Sequence, residues 1–522
     1  MKKLRISLFV SIITASNVFA QTLDEAIQKT TNEQYETAET TFKSIIQKEP
    51  NNGDAYFYYG ENYFKNENIS EAKKMYEKGI EVNATNPLPY VGLGKIKWYK
   101  GKEEEAKADF YKATTLGNKN AVVLMKIADV YINADAKNLP EAITLLAKAE
   151  KLDPKNPEVF ILTGDAYLEQ NNGTKAIEYY EKAVTLNPKS VKATLRQGQL
   201  YNRAKNYSLA LDFYKNASLI DSSYAPAYRE KAEIYFRAGQ YNNAVAQYKK
   251  YLQLNNNCSA RSRYAGFLYK AKQYTLSVDA VKEAKKCAPD NQYLDRYLTY
   301  DYYELGDYTN GLTSSQLFFE KANPEMIIAE DYEYQGRLNS KLGNDSLAIL
   351  DYAKAMKMDA TKSDLVNDIA TSYMKLKKYN EAIDLFEDKL LSGNANINDY
   401  YALGRAYYYS KNFVNADSAF SKMVALQPNL ALGYLWRAKA NVQTDPKNEK
   451  WKAKEFYEEF IAKVKPEDLE RSKKDLIDAF NYLAAHYASK KDCSHTKEYL
   501  LKVVEIDQNN TQAKKVLTGL KC

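Results

Sequence analysis

PEVFILTGDAYLEQNNGTKAIEYYEKAVTLNPKS, residues 157–190, decides the fold. Phe160, Thr163, Gly164 and Tyr167 fall at i, i+3, i+4 and i+7, one face of a helix. Ala176, Tyr180 and Ala183 form the matching stripe of a second helix, and Pro188 ends it. Small Gly164 and Ala176 let the two helices approach closely, and the Tyr180 ring fills the space toward the next hairpin. Ile397 to Leu430 carries the same register in Tyr400, Leu403, Gly404, Tyr407, Ala416, Phe420 and Pro428.

Outward from these stretches the small residue returns every 34 positions, at Gly60, Gly94, Ala128, Gly164, Gly198, Ala232 and Gly266, then Gly336, Ala370, Gly404 and Ala438. A second series, Ala38, Ala72, Ala106, Ala142, Ala176, Ala210, Ala244, Ala348, Ala382 and Ala416, keeps step with it. Self-similarity at this period predicts stacked helical hairpins. The pattern resembles the tetratricopeptide repeat over nearly the whole chain, in the manner of an exported bacterial member. That resemblance implies an all-α, right-handed superhelical solenoid of about fourteen antiparallel helix pairs, ending in a capping helix over Thr511 to Leu520.

Regularity lapses in three places. Two residues are inserted between Tyr131 and Ala142, spacings lengthen after Val442, and the ninth unit carries Gly311 and Ser315 at its small and aromatic positions. The organisation expected is therefore a leader over 1–20, an N-terminal array over 21–289, a degenerate repeat with a possible bend over 290–328, and a C-terminal array with its cap over 329–522.

Lys2, Lys3 and Arg5 precede an apolar run from Ile6 to Ala15, and Val18 and Ala20 supply a small-residue cleavage site. This reads as a secretory signal peptide, with the mature chain starting at Gln21 in the periplasm or outside the cell. The net charge of +7 includes three positive charges from that leader, so the mature chain is nearly neutral, with no basic block to suit nucleic acid. No later segment approaches membrane-spanning length.

Four cysteines fall as two pairs of equal spacing, Cys258 with Cys287 and Cys493 with Cys522. Cys258 and Cys287 fall at the start of a hairpin's first helix and the end of its second, and Cys493 and Cys522 at the start of a helix and the end of the antiparallel capping helix, so two disulfides are expected in an exported chain. His486 and His495 are the only histidines and stand in no zinc-ligand spacing, so no metal is expected. Phosphate loops, nucleophile elbows and paired catalytic motifs are missing, which predicts a protein that is not an enzyme and carries no cofactor.

Function then rests on surface. In repeats of this kind the first helix of each pair lines a concave groove that takes a partner protein or peptide. The face not used for stacking carries Phe57, Glu61, Phe64, Lys95, Trp98 and Tyr99, then Arg229, Phe236 and Arg237, then Arg405, Tyr408 and Tyr409. Aromatic and arginine side chains are the usual interface anchors. Phe57, Glu61, Val91 and Lys95 depart from the Lys, Arg and Asn set with which some relatives grip chaperone tails. Lys97 stands where other repeats have tyrosine, so Trp98 either projects into the groove or swings inward to fill the vacancy. The function expected is a protein-binding scaffold within an envelope assembly or secretion complex. The alternative is glycan binding through Trp98, Tyr99, Tyr408 and Tyr409.

Overall fold

The computed structural model describes residues 22–393 and 395–520. The expected leader, Gln21 and Cys522 lie outside them. Among the described residues there are 29 α-helices, which is fourteen successive pairs and one final helix, Thr511–Gly519. The all-helical, paired architecture follows the sequence register closely.

The repeat explains itself at each turn. Asparagine caps many of the helices: Asn156 accepts from the Glu158 backbone N–H and Asn172 from that of Lys175. Between the two helices of a pair the chain passes through the left-handed region at Glu33, Glu67, Gly101, Asn171 and Lys205. At Gly164 a Cβ would come within 2.4 Å of the Tyr180 ring, so the close crossing requires glycine. Tyr76, Tyr180 and Tyr214 are fully buried by this device, each opposite its own glycine.

Two compact units make up the chain, Met1–Tyr297 and Leu298–Cys522, and the division falls inside helix Gln292–Glu304. In the first unit eight pairs run from Leu23–Thr31 to Tyr274–Lys285. The first helices of consecutive pairs touch one another, Gly53–Lys65 against Leu88–Tyr99 and so on to Val191–Arg203. They line an inner wall, and the wall closes. Asn32 donates to Asp221 at 2.9 Å and to Ser223 at 3.0 Å, across 189 and 191 residues of sequence. Glu33 accepts from Arg229 at 2.6 Å and from the Tyr251 hydroxyl at 2.8 Å, and Ser259 donates to Glu67 at 2.8 Å. The N-terminal pair thus meets repeats a full turn further along.

Cys258 opens helix Cys258–Lys270, Cys287 follows helix Tyr274–Lys285, and the two are disulfide-bonded with a Cα separation of 5.9 Å. The bond closes one hairpin beside the Ser259–Glu67 contact. The second expected pairing depends on Cys522 and so lies outside the described residues.

The second unit contains regular pairs from Ala329–Lys341 with Asp345–Met358 to Leu469–Ser489 with Cys493–Ile506. Gly336 and Gly404 press on the rings of Tyr352 and Phe420 as their counterparts do in the first unit. In helix Tyr308–Lys321 the degenerate small residue Gly311 faces Leu338, and Ser315 is buried where other repeats place a ring. The long spacing after Val442 forms a loop organised on Asp445, whose carboxylate accepts from the backbone of Glu449 and Lys450.

Candidate functional site: the inner faces of the two arrays

In the first unit the inner wall is a ladder of charge pairs between repeats. Tyr76 donates to Glu61 at 2.6 Å, and Lys95 of the next pair meets the same carboxylate at 3.0 Å. The motif recurs three repeats later, where Tyr180 donates to Asp165 at 2.7 Å and Arg196 closes on it at 2.9 Å. In both places the buried tyrosine hydroxyl finds a carboxylate, and that carboxylate a cation from the following repeat. Burial alone would push the Glu61 carboxyl up, but Lys95, Lys126, the Tyr76 hydroxyl and Lys65 outweigh it and hold its pKa near 2.

This wall encloses a cavity of about 690 Å³ whose lining comes from the first helices of seven consecutive pairs. Lys192 pairs with Glu158 and Arg229 with Glu33 along its rim. Lys65 and Lys126 make no ion pair or hydrogen bond among the described residues, although the Lys126 ammonium lies 5.3 Å above the Tyr58 ring. Lys65 keeps much of its surface open to the cavity. The surrounding walls still desolvate it, and with Lys126 and Lys192 nearby they lower its pKa to about 8 against the pull of Glu61 and Asp129.

The expected groove residues are placed as follows. Phe57, Glu61 and Lys95 are buried within the wall. Trp98 is in the core at 3% exposure, edge-on to Tyr131 at 4.7 Å, with its indole N–H donating to the Ala136 carbonyl at 2.8 Å. The inward alternative therefore holds for Trp98, and Lys97 is left to pair with Asp109 at 2.7 Å. Phe64 is half-buried beneath the Lys95 ammonium and meets Tyr99 edge-on, while Tyr99 stays exposed. Arg229 is engaged by Glu33 and Glu230. Phe236 packs on Phe267 under the Arg263 guanidinium, and Arg237 is exposed beside Tyr207.

In the second unit Arg405, Tyr408 and Tyr409 do come together. All three sit on helix Ile397–Tyr409, and Trp436 of helix Ala431–Thr444 joins them. The Arg405 guanidinium lies 5.5 to 5.8 Å from the rings of Tyr401, Tyr409 and Trp436. Its Nε is buried and has no hydrogen-bond partner among the described residues. Tyr409 is exposed, and Tyr408 packs edge-on to Trp436 at 5.4 Å. An arginine among rings, without a carboxylate of its own, is poised to receive one.

Sequence reasoning passed over Glu33, Lys65, Lys126, Asp165, Lys192, Arg196 and Trp436. A signal existed for several of them. Counting from each small residue, the positions six and two before and one and five after share one helix face, and there the chain reads Glu158 and Lys192, Lys126 and Arg196, Glu61 and Asp165, then Lys65. His486 packs edge-on to Trp451 and His495 hydrogen-bonds Asp492. Among the described residues no group of three or more His, Cys, Asp or Glu is placed to hold a metal, and no helix is long and apolar enough to cross a membrane.

Models of the tetratricopeptide repeat match residues 30–90, 89–120, 161–226 and 225–258. The chain is 32% identical to the C-terminal part of a TPR repeat-containing protein from Cytophaga hutchinsonii, with 50% of this chain and 100% of that one covered at a TM-score of 0.46. It is 22% identical to Pseudomonas aeruginosa pilF over 39% of this chain and 91% of that one, with a TM-score of 0.28. A 111-residue stretch is 28% identical to anaphase-promoting complex subunit 3 of Schizosaccharomyces pombe, 21% of this chain and 16% of that relative's length. The chain belongs to the tetratricopeptide repeat family, whose fold serves generally as a scaffold for protein interaction.

Proposed function

We propose that this chain is a non-catalytic scaffold of the cell envelope that captures a partner protein, and that the Arg405 cluster of the second unit is its anchor. The observation that carries this reading is the buried, partnerless Nε of Arg405 among the rings of Tyr401, Tyr409 and Trp436. A native chain seldom leaves such a donor unmet, because an unsatisfied buried polar group costs about 1 to 3 kcal/mol. An acidic side chain or C-terminal carboxylate of a partner satisfies it, and exposed Tyr409 supplies apolar contact at the rim. The basic, apolar and small-residue regions over residues 1–20 support export and hence an envelope location.

A photo-crosslinkable residue at Tyr409 in the producing cell tests the reading, with mass spectrometry of the adduct and of the mature N-terminus. A single stoichiometric protein crosslinked to a chain starting at Gln21 is expected. Arg405→Met should weaken that complex by about 2 kcal/mol or more at unchanged helicity. A chain that keeps residues 1–20 in the cytosol would overturn the location. Failure to crosslink protein, with tryptophan fluorescence instead quenched by soluble glycan, would move the assignment to sugar binding.

A further inference from the structure

The cavity of the first unit differs in kind from the Arg405 cluster, because it is a deep, partly open recess and its surplus charge is cationic. Lys95, Lys192, Arg196 and Arg229 each have a carboxylate partner. Lys65 and Lys126 line the same cavity and have none among the described residues. The remaining carboxylate of the lining, Asp129, accepts from Asn133 at 2.8 Å and forms no ion pair there. The cavity disfavours the Lys65 ammonium, whereas the charges of Glu61, Asp129 and Glu158 favour that of Lys126 without any of them pairing with it, so two ammonium groups share one space with no anion bridging them. Beside them stand the rings of Tyr58, Phe64 and Tyr99, the last two edge-on at 5.2 Å.

We propose that this cavity is a binding site for a small organic phosphate, whose dianionic head sits between Lys65 and Lys126 and whose body lies against Tyr58, Phe64 and Tyr99. A phosphate monoester carries about two negative charges near neutrality and three acceptor oxygens, enough to balance both lysines at once, whereas a carboxylate brings one negative charge to the pair. The volume of about 690 Å³ suits a compact ligand. The exposed flank of Lys65 gives it a way in.

Calorimetric titration of the mature chain with phenyl phosphate at about pH 7 tests the proposal, with benzoate as the singly charged comparison. One-to-one binding in the sub-millimolar range is expected, about tenfold or more tighter than benzoate and about tenfold or more weaker in Lys65→Met/Lys126→Met. Should the double variant lose its helical circular dichroism, acetic anhydride labelling of the unaltered protein decides instead. Phenyl phosphate must then protect Lys65 and Lys126 while leaving exposed Lys107 reactive. Absence of binding up to about 10 mM, equal affinity for benzoate, unchanged affinity in the folded double variant, or unprotected lysines would overturn it.

Discussion

The indole N–H of Trp98 donates to the backbone carbonyl of Ala136 at 2.8 Å, joining one repeat to the loop between the next two helices. Ala136 lies in the stretch lengthened by two residues between Tyr131 and Ala142. The extra backbone supplies the acceptor that a buried indole needs. An irregularity in spacing and an irregularity in the aromatic stripe, 38 residues apart, are thus the two halves of one packing solution.

Trp98 and its neighbour Tyr99 should separate cleanly in mutagenesis. Trp98→Ala empties a core position bounded by Phe110 and Tyr131 and should cost about 3 to 5 kcal/mol. Tyr99→Ala touches an exposed ring and should cost less than about 1 kcal/mol. Urea denaturation of the two single variants checks this, and equal losses would contradict the placement.

Gly164→Leu should destabilise the first unit by about 1 to 3 kcal/mol, because the added atoms meet the Tyr180 ring and that ring is held by Asp165. Gly173→Ala, where no atom lies within 4 Å of the built Cβ, is the control. A thermal melt of the two shows whether contact or helix composition sets the effect.

How far the sequence could be read follows from these residues. Gly164 and Tyr180 were legible because the crossing they make repeats, and repetition is visible in one dimension. The disulfide from Cys258 to Cys287 was legible because the two ends of a hairpin lie together in any antiparallel pair. Glu33 and Arg229 were not, since their meeting depends on small rotations summed over six repeats, and no local pattern encodes the sum. Trp98 was half legible: missing tyrosine at Lys97 announced a vacancy without saying which side chain fills it. The Arg405 cluster had three members on one helix in plain view, Arg405, Tyr408 and Tyr409, but Trp436 entered from the next pair.

The Lys65 ammonium gives a pH signature. Its pKa is held near 8 by burial, Lys126 and Lys192, against an unfolded value of 10.5. Below about pH 8 the folded chain bears the full penalty of a charged Lys65. Between there and 10.5 the unfolded chain binds more protons, so stability from this group rises with pH. Lys65→Met removes the penalty, so its gain in urea midpoint over the unaltered chain should be largest near about pH 7 and shrink by about pH 9.5. A gain that stays constant would show that Lys65 is solvated normally.

Breaking the closure should be visible locally before it is visible globally. Glu33→Ala removes the acceptor of both Arg229 and Tyr251 and leaves Asn32, Gln34 and the Ser259–Glu67 contact to hold the seam. Hydrogen exchange in helices Leu23–Thr31 and Tyr35–Lys48 should quicken by the equivalent of about 1 to 3 kcal/mol, with helix Pro157–Glu169 unaffected.

The closure also alters what kind of cooperative system the first unit is. In an open stack the terminal element has a neighbour on one side and frays, so unfolding enters from the end. Here the initial hairpin is bonded both to its successor and, through Glu33 and Asn32, to partners some 190 to 220 positions away. Its loss then breaks two couplings where an open end breaks one, and the statistical weight of partly melted states falls accordingly. The array behaves less like a zipper than like a hoop, melting as a whole, and the chamber inside it persists for as long as the hoop is intact.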